Sequence, residues 1–279
     1  MHRIVSKTRL SPNVIRLDVE AARIAEIRQA GQFVIVRRAV RAERIPLTIA
    51  DADPAAGTIA LVIQAVGKST QELTALEPGE AILDISGPLG TPTELIEKGR
   101  ALCVGGGVGT AGVHPIAQGL HRRGVHVTSV IGGRAKEWVI FEEDLRRLGD
   151  VVVCTDDGSY GRKGFVTDAA KEILVGGGID IVYAVGPVPM MRAVANLTRP
   201  FGVHTIVSLN PVMVDGTGMC GGCRVEVGGE TKFACVDGPE FDGHQVDFDL
   251  LADRLGTYRT QEQAALTRHE GSCKVGLNP

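Results

Sequence analysis

The run Ala101-Leu-Cys-Val-Gly-Gly-Gly-Val-Gly-Thr-Ala-Gly112 decides how this chain is organised. An apolar stretch of strand length meets a block of glycines, and a helical pattern, VHPIAQGLHRRG (113–124), follows at once. The next stretch, VHVTSVIGG (125–133), reads as a second strand and completes a β-α-β unit. Gly107, Gly109 and Gly112 satisfy G-x-G-x-x-G. Such a turn lets a pyrophosphate approach the backbone at a helix N-terminus, where unpaired N–H groups face outward. Gly107, Val108 and Gly109 are the expected contacts. No acidic residue ends the second strand to hold a ribose; Gly133-Arg134 stands there. Arg134 is either a contact for a 2′-phosphate or a solvated loop charge, so NAD and NADP both stay open.

Further strands read at VVVCT (151–155), IDIVYAVG (179–186) and GVHTIVSLN (202–210). The turns at the ends of the first two place Asp157 and Gly158, then Gly186, Pro187 and Met190, at the edge where open parallel sheets hold ligands. His114, His121 and His126 have no thiol or carboxylate companions in the pattern and read as structural or surface residues.

Upstream, VIRLDVE (14–20), GQFVIVRR (31–38), TIALVIQAV (58–66) and AILDISG (81–87) alternate apolar and polar positions between turn signals. This spacing predicts a small antiparallel barrel. Between two of these strands, Glu43-Arg-Ile-Pro-Leu-Thr-Ile49 offers a cation, a proline and a hydroxyl that suit a phosphate and a polar ring edge. Gly67-Lys-Ser-Thr70, ahead of a helical run QELTALEPGE (71–80), is a second anion seat or simply a helix cap.

Downstream lies Asp215-Gly-Thr-Gly-Met-Cys-Gly-Gly-Cys223, answered by Cys235. A plant-type [2Fe-2S] site has the spacing C-x4-C-x2-C with a distant fourth cysteine. Here Cys220, Cys223 and Cys235 fill the last three places and Asp215 stands in the first. Zinc also accepts Cys3Asp, but one glycine-rich arc with a single return favours iron and sulfide. Cys103 and Cys154 sit in apolar strands and read as buried thiols. A net charge of −3 gives no support to nucleic-acid or membrane-surface binding. The N-terminal residues lack the apolar core of a signal peptide, no apolar run reaches membrane-spanning length, and a reducing cytoplasm is the expected compartment.

Three segments in this order resemble the ferredoxin–NADP reductase superfamily, in which a flavin barrel precedes a nicotinamide-binding α/β domain. The cysteine loop narrows the resemblance to iron–sulfur electron-transfer subunits. These are the dihydroorotate dehydrogenase kind and, closer still, the small subunits of NADH-dependent reduced ferredoxin:NADP oxidoreductase (sulfide dehydrogenase beta subunits). The stretch SLNPVMVDGTGMCGGCRVEVGGETKFACVDGPEFDGH (208–244) carries it. The resemblance implies an α+β multidomain chain: an FAD-binding antiparallel barrel over 1–98, a doubly wound parallel NAD domain over 99–210, and a [2Fe-2S] region with a partner-facing tail over 211–279. It implies that Arg44, Pro46, Leu47 and Thr48 form the flavin motif, with Arg44 on the diphosphate and Thr48 near the reactive ring edge. Val62, Ile63 and Gln64 would border the flavin, and Gly67, Ser69 and Thr70 its pyrophosphate.

Val185 stands where many such reductases have a cysteine, so hydride transfer would rest on positioning. The implied cofactors are FAD, a [2Fe-2S] cluster and NAD(H). The implied partner is a larger subunit with its own flavin and [4Fe-4S] clusters, through which ferredoxin and NADP act. The segment FDLLADRLGTYRTQEQAALTRHE (248–270) reads as a helix that docks on that partner or on its own NAD domain. The rival assignments are a subunit feeding dihydroorotate dehydrogenase or a hydrogenase, and, from another class, a zinc-stabilised nucleotide-binding regulator.

Overall fold

Alternating burial along short strands builds the first sheet in the computed structural model, which describes residues 1–275, with side chains through Gly271. The side chain of Cys273 and the tail residues 276–279 lie outside the described residues. In chain order the elements are β1 (His2–Ser11), β2 (Val14–Glu20), α1 (Ala22–Ile27), β3 (Phe33–Arg37) and β4 (Arg44–Asp53). Next come β5 (Thr58–Gln64), α2 (Lys68–Thr74), β6 (Ala81–Ile82) and β7 (Asp84–Leu89). The seven strands pair antiparallel in the order β6-β1-β2-β5-β4-β3-β7. The two end strands, β6 and β7, are separated only by Leu83, whose N–H donates to the Arg38 carbonyl at 3.1 Å, so the sheet nearly closes. Ile4, Leu17, Ile49, Leu61 and Ile63 fill its interior.

The segment Glu43–Ile49 opens a strand of its own, Arg44–Asp53. Pro46 is tolerated because the β4–β5 ladder ends at the Ile49–Leu61 pair, leaving β4 paired only to β3 over Arg44–Thr48, like an edge strand. The helical run predicted at 71–80 begins at Lys68 and stops at Thr74, before Pro78 and Gly79 turn the chain.

The second sheet follows from β8 (Arg100–Gly106), α3 (Thr110–Arg122), β9 (His126–Gly133), α4 (Glu142–Arg146), β10 (Asp150–Thr155) and β11 (Arg162–Lys163). It is extended by α5 (Val166–Val175), β12 (Ile181–Val185), α6 (Val188–Thr198) and β13 (His204–Ser208). Its strand period of two sorts the apolar residues. Leu102, Val104, Val182 and Ala184 share a core with α5 and α6, whereas Ala101, Cys103, Ile181 and Tyr183 share one with α3. Each buried Val, Leu or Ile among them contributes about 1.5–3 kcal/mol, which is why near-continuous apolar strands end up between two helical layers.

The remaining chain adds a hairpin of β14 (Arg224–Val227) and β15 (Glu230–Phe233), then β16 (Glu240–Asp242), α7 (Phe248–Gly256) and α8 (Arg259–Val275). The second sheet runs β11-β10-β9-β8-β12-β13-β16, parallel except for β16, which pairs antiparallel with β13 through Ser208–Glu240, Val207–Phe241 and Ile206–Asp242. The helix predicted over 248–270 is two helices broken at Thr257–Tyr258. Asp247 caps the first, accepting from the Leu250 N–H at 2.9 Å. Arg192 of α6 pairs with Asp249 at 2.6 Å, and Arg254 donates to the Gly222 carbonyl at 3.2 Å, so α7 joins the sheet's helical layer to the cysteine loop. The polar α8 crosses back to α2. Among the described residues no helix is long and apolar enough to cross a membrane.

Candidate functional site

The sheet order places a switch point between β8 and β12: from β8 the chain winds outward through β9 and β10, then returns to the other side of β8. Ligands bind outside the carboxyl ends of strands at such points. Gly107, Val108 and Gly109 follow β8 as one turn of 3-10 helix, and Gly186 and Pro187 follow β12 into α6. The two turns are in close contact. A Cβ on Gly109 would lie 2.6 Å from the Gly186 Cα, and one on Gly106 would lie 3.2 Å from Pro187 Cδ and against Met190 Sδ. Gly107, Val108, Gly109, Gly186, Pro187 and Met190 therefore come together. Arg134, Asp157 and Gly158 lie further out, beyond β9 and β10, all exposed, with the Asp157 N–H donating to the Arg134 carbonyl at 3.2 Å. Asp157 accepts from the Ser159 N–H at 2.8 Å, which holds its carboxylate below the usual range.

On the barrel, Pro46, Leu47 and Thr48 pair with Ile35, Val34 and Phe33 of β3. Val62, Ile63 and Gln64 continue β5 past its last pairing with β4 and remain paired to Arg16, Ile15 and Val14 of β2. The two predicted flavin segments thus line opposite lips of a parting between β4 and β5. Ile63 brings only backbone to it, since its side chain is fully buried in the barrel core. Arg44 is exposed and forms no ion pair among the described residues, which leaves its guanidinium free for an anion. Gly67 caps α2, and Thr70 accepts from its N–H at 3.0 Å while donating to its carbonyl at 2.9 Å, so Thr70 shapes the turn from within. Ser69 donates to Glu43.

The cysteine loop holds its predicted donors as two pairs. Asp215 accepts from the N–H groups of Thr217 at 2.8 Å and Cys220 at 2.7 Å. Those bonds hold its carboxylate below the ordinary range, the ionised state a ligand needs. Cys223 and Cys235 are buried with their sulfurs 3.2 Å apart, and burial raises the Cys235 thiol, so deprotonation there calls for a cationic centre. Cys220 is exposed. Among the described residues no three of these side chains converge as a closed metal site. One carboxylate–thiol pair and one dithiol pair nonetheless suit two irons, two ligands to each.

The loop is pressed against the barrel. A Cβ on Gly216 would lie 2.6 Å from Leu89 Cδ1 and 3.0 Å from Ile35 Cγ1, and Asp215 and Arg44 line the same cavity of about 200 Å³. Thr91 reinforces the seat, donating from its N–H to the Gly238 carbonyl at 2.7 Å and from its hydroxyl to the Val236 carbonyl at 2.9 Å.

Sequence reasoning missed Glu240. Thr93 donates to its Oε1 at 3.0 Å, its Oε2 is buried without a partner, and burial pushes the carboxyl up to about 7. In the sequence it is one acid among several in DGPEFDGH (237–244), with nothing to mark it as buried. The Cys103 thiol, buried as predicted, is pushed up to about 12 by burial and is chemically quiet.

With this geometry in place, comparisons with known proteins become specific. Residues 210–247 match the model of the iron–sulfur cluster binding domain of dihydroorotate dehydrogenase B. A Thermotoga maritima protein described as a dihydroorotate dehydrogenase B (NAD(+)) electron transfer subunit homolog is 46% identical over 268 residues, 96% of this chain and 95% of that one. The chain belongs to this family of electron transfer subunits. Another family member, the dihydroorotate dehydrogenase B (NAD(+)) electron transfer subunit of Geobacillus thermodenitrificans, is 35% identical over 87% of this chain and 96% of its own. A solved structure of an NADH-dependent reduced ferredoxin-NADP oxidoreductase superposes with a TM-score of 0.92 at 45% identity, covering 96% of this chain and 97% of that one. The ferredoxin reductase of carbazole 1,9a-dioxygenase, at 20% identity and a TM-score of 0.62, shares the fold over 72% of this chain and 64% of its own. The family is one of oxidoreductase electron-transfer subunits that work beside a catalytic subunit.

Proposed function

We propose that this chain is the flavin and iron–sulfur subunit that oxidises or reduces NAD(H) within an electron-bifurcating NADH-dependent ferredoxin:NADP oxidoreductase. The observation that carries it is the seat of the cysteine loop on the barrel beside the flavin motif: Gly216 packs on Leu89 and on Ile35, the strand partner of Pro46, and Asp215 shares a cavity with Arg44. Electron carriers held by these two segments are neighbours, which is what one-electron transfer needs. When bound, FAD supplies the exchange between a two-electron nicotinamide and one-electron carriers, and the [2Fe-2S] cluster supplies those single-electron steps.

The chain's own residues then divide as follows. Arg44, Gly67 and Ser69 hold the flavin diphosphate, with Thr70 shaping that turn. Pro46, Leu47, Thr48, Val62, Ile63 and Gln64 frame the ring, and the Thr48 hydroxyl bonds near its reactive edge. Gly107, Val108, Gly109, Gly186, Pro187 and Met190 hold the dinucleotide, with Asp157, Gly158 and Arg134 at its outer end. Asp215, Cys220, Cys223 and Cys235 hold the irons. Residues 1–98, 99–210 and 211–279 are the corresponding functional segments. The partner is a larger subunit with its own flavin and [4Fe-4S] clusters, in the cytoplasm, through which ferredoxin and NADP react. Exposed Met219, Val214 and Val236 around Cys220 give it an apolar surface to meet.

A second reading, a subunit serving dihydroorotate dehydrogenase, is favoured by the match over residues 210–247. The copurifying subunit discriminates between the two. Iron, sulfide and flavin analysis of anaerobically purified protein, with an EPR spectrum after NADH addition, tests the core of the proposal. About two irons and two sulfides per chain, bound FAD and an NADH-induced signal are expected; zinc without flavin would overturn it.

A further inference from the structure

The bulge in β4 and the helix α3 meet at one buried histidine. In the β4–β5 ladder Ile49 pairs with Leu61 and Asp51 with Ala60, so Ala50 is the extra residue and its backbone groups fall outside the regular ladder. Its carbonyl is taken by His114 Nδ1 at 3.0 Å. A carbonyl only accepts, so Nδ1 carries the proton and donates. The ring is buried and lies 4.9 Å from the Phe141 ring, which limits its rotation. One helical turn further along α3, Gln118 donates to Asp51 Oδ1 at 3.3 Å. Arg28 and Arg16 approach the same carboxylate at 3.4 Å and 3.8 Å. Two rungs therefore bind one face of α3 to two successive residues of the bulge.

The position of these rungs gives them a purpose beyond packing. β4 reaches Ala50 directly after Thr48 and Ile49, the flavin end of the strand, and α3 begins at Thr110, directly after Gly107–Gly109. We propose that His114 is a positioning residue for hydride transfer. Its bond to Ala50 ties the strand that carries the flavin contact to the helix that carries the nucleotide turn, and so fixes the gap across which the hydride moves. The inference rests on the flavin and NAD reading above. Because Val185 offers no polar group beside the nicotinamide edge, geometry has to supply what side-chain chemistry does not, and small misplacements are costly there.

Two substitutions separate the bond from the ring. His114→Phe keeps an aromatic ring beside Phe141 and removes the donor; His114→Asn keeps a donor and removes the ring. In the anaerobic holoprotein, within its native assembly, NADH reduction of the flavin is followed in single turnovers over a range of NADH concentrations. His114→Phe is expected to lower the limiting rate about tenfold while the apparent Kd for NADH stays within about threefold, with His114→Asn recovering most of the rate. A second readout needs no flavin. Hydrogen exchange in peptides spanning 44–53 and 107–118 of the flavin-free protein should quicken about fivefold in His114→Phe and stay near wild type in His114→Asn.

Equal limiting rates in wild type and His114→Phe would overturn the inference, as would a His114→Asn protein as slow as His114→Phe. Should His114→Phe fail to fold, Gln118→Leu removes the other rung alone; an unchanged limiting rate and unchanged exchange in that variant would also overturn it. A wild-type protein that binds no FAD, or whose flavin NADH does not reduce, is a different failure: it sinks the proposed function and this inference with it.

Discussion

Gly109 of the nucleotide edge and Gly218 and Gly221 of the cysteine loop are glycines for opposite reasons. At the edge, Gly109 has ordinary helical backbone angles, and what it supplies is room: a Cβ there would strike the backbone of Val185 and Gly186. In the loop, Gly218 sits at φ +82° and Gly221 at φ +66°, so conformation is the requirement. One site is made by two backbones pressed together at a sheet's edge. The other is made by a chain that bends sharply enough to return side-chain donors to one place. The first therefore fails by collision and the second by loss of ligands.

The contrast is sharpest with Cys235→Ala. That substitution should bring iron close to zero by metal analysis while bound FAD and NADH affinity stay near wild type, because Cys235 is a buried donor of the cysteine loop and belongs to neither nucleotide turn. Asp215→Cys should retain iron but move the EPR signal and midpoint, since thiolate replaces carboxylate. An Asp215→Ala protein with an unaltered spectrum and potential would remove Asp215 from the ligand set. Gly109→Ala should do the reverse. NADH affinity should fall about a hundredfold by anaerobic titration, with iron and flavin unchanged, since overpacking of this kind costs about 1–3 kcal/mol.

Glu240 tests the junction just beyond the cysteine loop, where β16 meets Thr93 and the barrel. Its folded-state pKa is raised above the ordinary value of 4.5 to about 7, so the folded chain binds the proton more tightly than the unfolded one. Stability from this group is fully present below about pH 4.5 and is lost as pH rises toward 7 and slightly beyond, by about 3 kcal/mol at most. Glu240→Gln should flatten that slope in denaturant titrations between pH 5 and pH 8. The smallest effect belongs to α8. Truncation after Gly256 should shift the chain's own stability by less than about 1 kcal/mol, since a polar helix crossing to α2 buries little. A larger loss would make α8 part of the barrel.

What could be read from the residues follows the same division. The cysteine spacing and the G-x-G-x-x-G turn were legible because donor chemistry and tight turns each demand particular residues at fixed separations. The barrel strands were legible where apolar alternation was clean, as at Val14–Glu20. The full extent of β4 was not, because Pro46 reads as a break unless the strand is known to be unpaired on one side there. Nor were Glu240 and His114, whose roles depend on what packs against them from distant segments. A lone buried histidine carries no mark of its acceptor, and Ala50 offers only a backbone carbonyl.

The strand β16 has a consequence for how the cysteine loop is held. It pairs with β13, so everything from Leu209 to Pro239 is an excursion between two neighbouring strands of one sheet. The ends of that excursion are clamped by the sheet, the Leu209 N–H donating to the Pro239 carbonyl at 2.8 Å. The loop's ends are thus joined by backbone pairing, through residues other than the donors that would hold iron.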